Sequence, residues 1–330
     1  MKYIFFILLL TETALSAQKG KTPEKNIITP GMVKEWVSSL ASDAMNGRQN
    51  GSAEMVVAAG WIAEKFEKNG VKPLKNIDYI LDYSYASRQN TINERNVIGI
   101  IPGSDPSLKN EYIVLSAHFD HIGIRKGSQD SICNGADDNA TGIAALIGIA
   151  KYIKDTKAKP GRTIIFAAFS GEENGMRGSR AFVSKFPFEL KKVYFDMNFE
   201  MIGHSDLLGK NKYYMTGTKK SNIDDVIATY DRNTEFSLVD TIEITERLFF
   251  QSDNVSFSRL SVKDNKTTGV PSGTFATSTM ASYLHTPDDE VELCDFDNMA
   301  SLVNHFSRLV IWLSDNKSEI IWTDPTYQRP

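Results

Sequence analysis

The chain alternates between two hydrophobic rhythms. One is helical. In SAEMVVAAGWIAEKFEKNG, Met55, Ala59, Ile62 and Phe66 recur at three- and four-residue spacing, and Gly70 follows as a C-cap. TPGMVKEWVSSLA opens in the same way, with Thr29 as N-cap and Pro30 in the first turn. TGIAALIGIAKYIKD places Ile143, Leu146, Ile147 and Ala150 on one face; RGSRAFVSKF, NIDDVIATYDRN and NMASLVNHFSRLVIWLS read as further helices. The other rhythm is a short, continuous apolar run: NVIGII, EYIVLSA, TIIFAAF, VYFDMNF, KYYMTG and SGTFAT. Strands that are apolar along their whole length belong to a sheet buried on both faces. Their alternation with helices predicts an α/β fold: a three-layer sandwich with a mixed, mostly parallel central sheet and helices on both faces.

Composition changes this picture little. The 330 residues are 41% hydrophobic, enough for a large core, and no repeat or Pro-rich linker divides them. The opening MKYIFFILLLTETALSAQ has Lys2, an apolar run from Tyr3 to Leu10 and small residues after it, the pattern of a cleaved signal peptide. The apolar run is too short to span a bilayer. The expected organisation is a signal peptide over 1–17 and one catalytic domain over 18–330. That places the protein in a secreted or periplasmic setting, with no stable membrane anchor after cleavage. A net charge of −4 without a basic cluster argues against nucleic acid as a partner. Cys133 and Cys294 are too few for a disulfide scaffold; they form one bridge after export or remain two buried thiols.

The polar residues carry the functional signal. In doubly covered sheets, functional groups gather at the carboxyl ends of strands. Here EYIVLSA runs into His118 and Asp120, TIIFAAFSG into Glu172 and Glu173, and VYFDMNF into Glu200. NGADDNATG delivers Asp137 and Asp138 just before a helix, and His285 follows SGTFAT. Single acidic pairs are usually solvated loop charges. So many imidazoles and carboxylates at strand ends favour one shared site.

Imidazole and carboxylate donors suit a hydrolytic zinc pair sharing a carboxylate. This reading gives His118 and Glu200 to one Zn²⁺, Glu173 and His285 to the other, and Asp137 to both. Two Zn²⁺ are balanced by Asp137, Glu173, Glu200 and a bridging hydroxide, so Asp138 and Glu172 stay out of the ligand set. Glu172 is then placed as general base, and Asp120 as the acceptor that fixes the His118 tautomer. His121 reads as a structural neighbour, because the ligand set is already full. His204 reads as closing a turn, His305 as structural, and Phe249 and Phe250 as core.

The segments LASDAMNGRQNGS, NVIGIIPG, SAHFDHIG, NGADDNATGIAALI, FAAFSGEENGMRGS, NFEMIG, QSDNVSF and YLHTPDDE together resemble the co-catalytic dinuclear zinc aminopeptidases of the bacterial leucyl aminopeptidase type. That family includes plasma glutamate carboxypeptidase-like and glutaminyl cyclase-like members. The resemblance implies the same ligands, His118, Asp137, Glu173, Glu200 and His285, with Glu172 as base and Asp120 behind His118. It also implies a cis peptide between Asp137 and Asp138. Glu200 stands where many relatives have aspartate, and Asn254 where histidine is frequent. SVKDNKTTGVPSGTFATSTMAS is expected to loop over the cleft, and the chain from Leu81 to Asn96 is too short for an inserted domain. The implied activity is a secreted exopeptidase acting on peptide substrates, most simply an aminopeptidase. A single-zinc glutaminyl cyclase and a non-catalytic binding module are the alternatives. Substrate preference and oligomeric state stay open.

Overall fold

The computed structural model describes residues 26–330, apart from 75–77, 88–89, 126, 128–129, 240–244 and 280; the signal peptide expected over 1–17 lies outside the described residues. Eight strands form the main sheet: β1 (Ile80–Ala86), β2 (Thr91–Ile101), β3 (Tyr112–His118), β4 (Thr163–Phe169), β5 (Val193–Phe199), β6 (Lys212–Met215), β7 (Ser237–Leu238) and β8 (Ser272–Ala276). Their spatial order is β1-β2-β4-β3-β5-β8-β6-β7. The four central strands, β4, β3, β5 and β8, run parallel. β2 and β6 join them antiparallel, and at the edge β1 pairs antiparallel with β2.

Helices cover both faces, as the apolar runs require. α1 (Pro30–Leu40), α2 (Ala53–Lys68), α3 (Thr141–Thr156), α5 (Ile223–Asp231) and α7 (Phe296–Asp315) pack in one cluster with Ile113, Leu115, Phe166 and Ala168 of the sheet. α4 (Arg177–Ser184) and the short α6 (Asn254–Ser258) cover the other face, where Phe182 and Phe257 meet Val114, Ile165, Ala167 and Phe169. Neighbouring residues of β3 and β4 therefore enter opposite cores, the two-fold alternation of a strand with no solvent face. The helix starts follow their capping chemistry: Thr29 accepts a hydrogen bond from Met32 N, and Ser52 accepts one from Met55 N.

Two segments depart from expectation. Ile80–Ala86 forms an edge strand whose half-buried alternation (ILDYSYA) contrasts with the continuous apolar runs. SVKDNKTT does not cover the cleft; Ser261–Lys263 and Lys266–Thr268 form a hairpin that pairs with Tyr327–Gln328. Asp264 and Asn265 have positive φ at its tip, as a tight two-residue turn requires.

Candidate metal centre

The register of the parallel ladder assembles the site. His118, the last residue of β3, pairs with Phe169, the last of β4, while Ser116 pairs with Asn198 near the end of β5. Loops leaving three adjacent strands thus place His118, Glu172–Glu173 and Glu200 at one edge of the sheet. His118 is fully buried, and its Nε2 lies 3.3 Å from Asp138 Oδ1 and 3.6 Å from Glu200 Oε1. On the far side of Asp138, Oδ2 lies 3.3 Å from His285 Nε2 and 3.6 Å from His121 Nδ1. Both of these nitrogens are 3.1 Å from Glu173 Oε1. Two donor clusters therefore share one carboxylate: His118–Asp138–Glu200, and His121–Asp138–Glu173 with His285 alongside.

The shared carboxylate is that of Asp138, not the expected Asp137. Asp137 turns away, accepting hydrogen bonds from Gly203 N, Ser278 Oγ and Tyr283 OH, each at 2.8 Å. Asp289 fixes the turn from below, its two oxygens accepting from the backbone N–H groups of Asp137 and Asp138. Adjacent side chains in this turn face opposite ways, so only one can enter the cluster. The cis peptide lies at Asp138–Asn139, one bond later than expected.

Asp120 also differs from its expected role. His118 Nδ1 approaches the backbone carbonyl of Asp120 at 3.2 Å; the carboxylate itself is 3.7 Å away. That carboxylate instead accepts from the backbone N–H groups of Glu172 and Glu173 and from Asn50 Nδ2. It orients the Glu172–Glu173 turn, while the chain reversal after His118 brings a carbonyl to the ring. Asn254 is structural too: it donates to Phe249 O and accepts from Thr274 Oγ1. His204 stacks on Tyr283, and His305 is buried against Asp231. Phe249 is buried as expected, whereas Phe250 is exposed.

Arg48 carries a role that its sequence context conceals. It is fully buried and donates to four carbonyls: Phe119 at 2.7 Å, Leu40 and Asn134 each at 2.6 Å, and Gly135 at 2.8 Å. Two of the turns it joins carry His118–His121 and Asp138. Gly47 beside it has φ +65, and a Cβ there would stand 2.5 Å from Cys133 O. Cys133 and Cys294 are both free thiols.

Electrostatics supports a cation site. Burial opposes the charge on Asp138, yet the His118 and His285 imidazoles, each 3.3 Å away, hold its carboxyl well below the usual range. Burial likewise opposes protonation of His118, but Asp138 and Glu200 raise its basicity well above normal. His285 is pushed up to about 10 by Asp138 and Glu173. Low-pKa carboxylates facing high-pKa imidazoles mark a place that demands positive charge. Among the described residues the buried His118 Nε2 makes no hydrogen bond of good geometry; it faces the Asp138 and Glu200 carboxylates across a gap that a cation would fill. Glu172 stands apart from both clusters: burial, with Glu200 and Asp253 nearby, raises its carboxyl well above the ordinary value. It lines the adjacent pocket together with Glu173, Glu200 and His285.

This arrangement coincides with a known family. A model described as Peptidase family M28 matches residues 96–310, and the chain belongs to that family. Leucine aminopeptidase 1 of Trichophyton rubrum is 29% identical over 224 residues, covering 65% of this chain and 56% of that protein. The chain thus spans little more than half the length of that relative. Among solved structures, the zinc aminopeptidase BSAP of Bacillus subtilis superposes with a TM-score of 0.66 at 16% identity, covering 89% of this chain and 98% of that one. Porphyromonas gingivalis glutaminyl cyclase superposes with a TM-score of 0.62 at 15% identity, covering 88% and 100%. These two likenesses establish the fold, the α/β sandwich expected from the strand and helix pattern.

Proposed function

We propose that this protein is a zinc-dependent aminopeptidase that binds two Zn²⁺ per chain and acts outside the cytoplasm. One observation carries the reading: two donor clusters share Asp138 at the carboxyl edge of the sheet and open into a pocket that also holds Glu172. His118 and Glu200 would hold one ion, Glu173 and His285 the other, with Asp138 between them. When bound, the ions supply Lewis acidity toward a scissile carbonyl and acidify water.

The chain's own residues do the rest. Glu172, outside both clusters, takes a proton from water and returns it to the leaving amine. Its burial makes the protonated state accessible, as a proton carrier needs. Asp120 holds the Glu172 backbone, and so sets where that carboxyl points. Met201, Tyr214, Leu248, Ala276 and Leu284 line the pocket beyond the carboxylates. This largely apolar wall suits an uncharged, medium-sized N-terminal side chain. Residues 1–17 supply the export reading, and among the described residues no helix is long and apolar enough to cross a membrane.

The test is a panel of aminoacyl-anilides, blocked dipeptides and Gln-initiated peptides, run with zinc quantification. Leucyl and methionyl anilides should turn over and blocked dipeptides should not. Glu172→Gln should lower kcat by about 10²–10⁴-fold while retaining zinc. Full activity in that variant would sink the proton-transfer role. A single bound zinc with cyclisation of Gln-initiated peptides would replace the reading with the cyclase.

A further inference from the structure

His121 lies three residues past His118, and in sequence it reads as a structural neighbour of a full ligand set. It is 1% exposed, and its Nδ1 points into the second donor cluster. The ring packs closely on the backbone of Gly135, where a Cβ would stand 2.6 Å from His121 Cγ. Among the described residues its buried Nε2 has no partner, so whatever meets Nδ1 sets the tautomer.

The spacings are informative. Zinc binds nitrogen and oxygen at about 2.0–2.1 Å, so two donors on one tetrahedral ion stand about 3.3 Å apart. His121 Nδ1 stands 3.1 Å from Glu173 Oε1 and 3.6 Å from Asp138 Oδ2. His285 Nε2 stands 3.1 and 3.3 Å from the same two oxygens. Both histidines therefore present a nitrogen at ligand–ligand distance from one carboxylate pair. Among the described residues the His118 cluster contains one imidazole.

Resting on the two-zinc reading, we propose that His121 is an additional ligand of the second zinc, making the two metal positions chemically unequal. The second position takes protein donors from His121, Asp138 and Glu173, with His285 facing the same two carboxylates, and so has one imidazole more than the first. The first takes His118, Asp138 and Glu200, and keeps a position open. The second ion is thus the tighter, anchoring one, and the first is the one accessible to water and substrate.

A simpler role for His121 would be to donate a hydrogen bond to Glu173, and a glutamine separates the two. His121→Gln keeps a donor for Glu173 and removes the ligand nitrogen. Zinc-loaded wild type, His121→Gln and His121→Ala are dialysed against graded chelator and zinc is counted, with X-ray absorption reporting imidazole ligation. Wild type should hold two zincs, one released at much higher chelator than the other. Both variants should lose that tight ion by at least tenfold in chelator concentration and lose one imidazole from the absorption spectrum. A His121→Gln protein with wild-type release and wild-type imidazole count overturns the ligand assignment, leaving the two-zinc reading intact. Wild type holding fewer than two zincs overturns that reading, and this inference with it.

Discussion

Replacing Arg48 with methionine tests whether one buried cation organises the site. The substitution keeps most of the side-chain volume and removes four hydrogen bonds to the carbonyls of Leu40, Phe119, Asn134 and Gly135. Hydrogen bonds to a charged group contribute about 1.5 kcal/mol or more each, so about 6 kcal/mol is at stake. Burying the guanidinium has a cost that offsets part of this. Burial lowers its pKa from 12.5 to about 10, against the pull of Asp289, Asp138 and Asp120. A fall of that size corresponds to about 3 kcal/mol. The expected net loss on Arg48→Met is therefore about 3 kcal/mol, read from urea unfolding in excess chelator so that zinc does not mask the chain's own contribution. Arg48→Lys, which keeps the charge but cannot reach all four carbonyls, should fall between wild type and Arg48→Met. Equal stability of Arg48→Met and wild type, within about 0.5 kcal/mol, would refute the clamp.

Three further outcomes follow from the packing and chemistry. Gly47→Ala combines a positive φ with a methyl 2.5 Å from Cys133 O and should cost at least about 2 kcal/mol in the same unfolding assay. Asp196, buried in β5 and hydrogen-bonded by Ser116, has its carboxyl pushed well above the ordinary range, by burial first and by Asp253 second. Its unfolded form ionises near pH 4 while the folded carboxyl holds its proton to higher pH, so this group's contribution to stability falls by about 1.4 kcal/mol per pH unit above that point until the folded carboxyl ionises. Asp196→Asn removes this dependence, and its stability relative to wild type should rise with pH above about 4; a pH-independent difference in unfolding free energy would refute it. Denatured, unreduced protein should react with thiol reagent at both Cys133 and Cys294, and a disulfide-linked peptide pair in a digest would contradict the free thiols.

How much of this was legible in the chain varies with the physics of each element. The central strands were plain because a doubly buried strand must be apolar throughout, and the polar residues that interrupt it can only gather at its ends. The edge strand Ile80–Ala86 was not, because one half-solvated strand leaves a weak alternation that a loop can imitate. The ligand clusters were legible as a set, but the choice between Asp137 and Asp138 was not. It depends on which way one turn faces, and Asp289, about 150 residues downstream, fixes that turn. The reading of His121 as a structural neighbour rested on a full ligand set, and charge balance counts ions without counting imidazoles. Arg48 was not singled out, because nothing local distinguishes an arginine aimed at water from one aimed at four carbonyls.

The segment that carries His285 is fastened at both ends to the turn that carries Asp138. Ser278 and Tyr283 hold Asp137 from one side, and Asp289 holds the Asp137 and Asp138 amides from the other. Between the fastenings lie Thr279 and Leu284, which face the pocket rather than the strap. Selection, or a designer, can therefore rewrite the pocket wall at those positions and at Leu248 while the metal-facing turn keeps its shape. A change at Asp137, by contrast, loosens His285 and Asp138 together, although its side chain meets neither cluster.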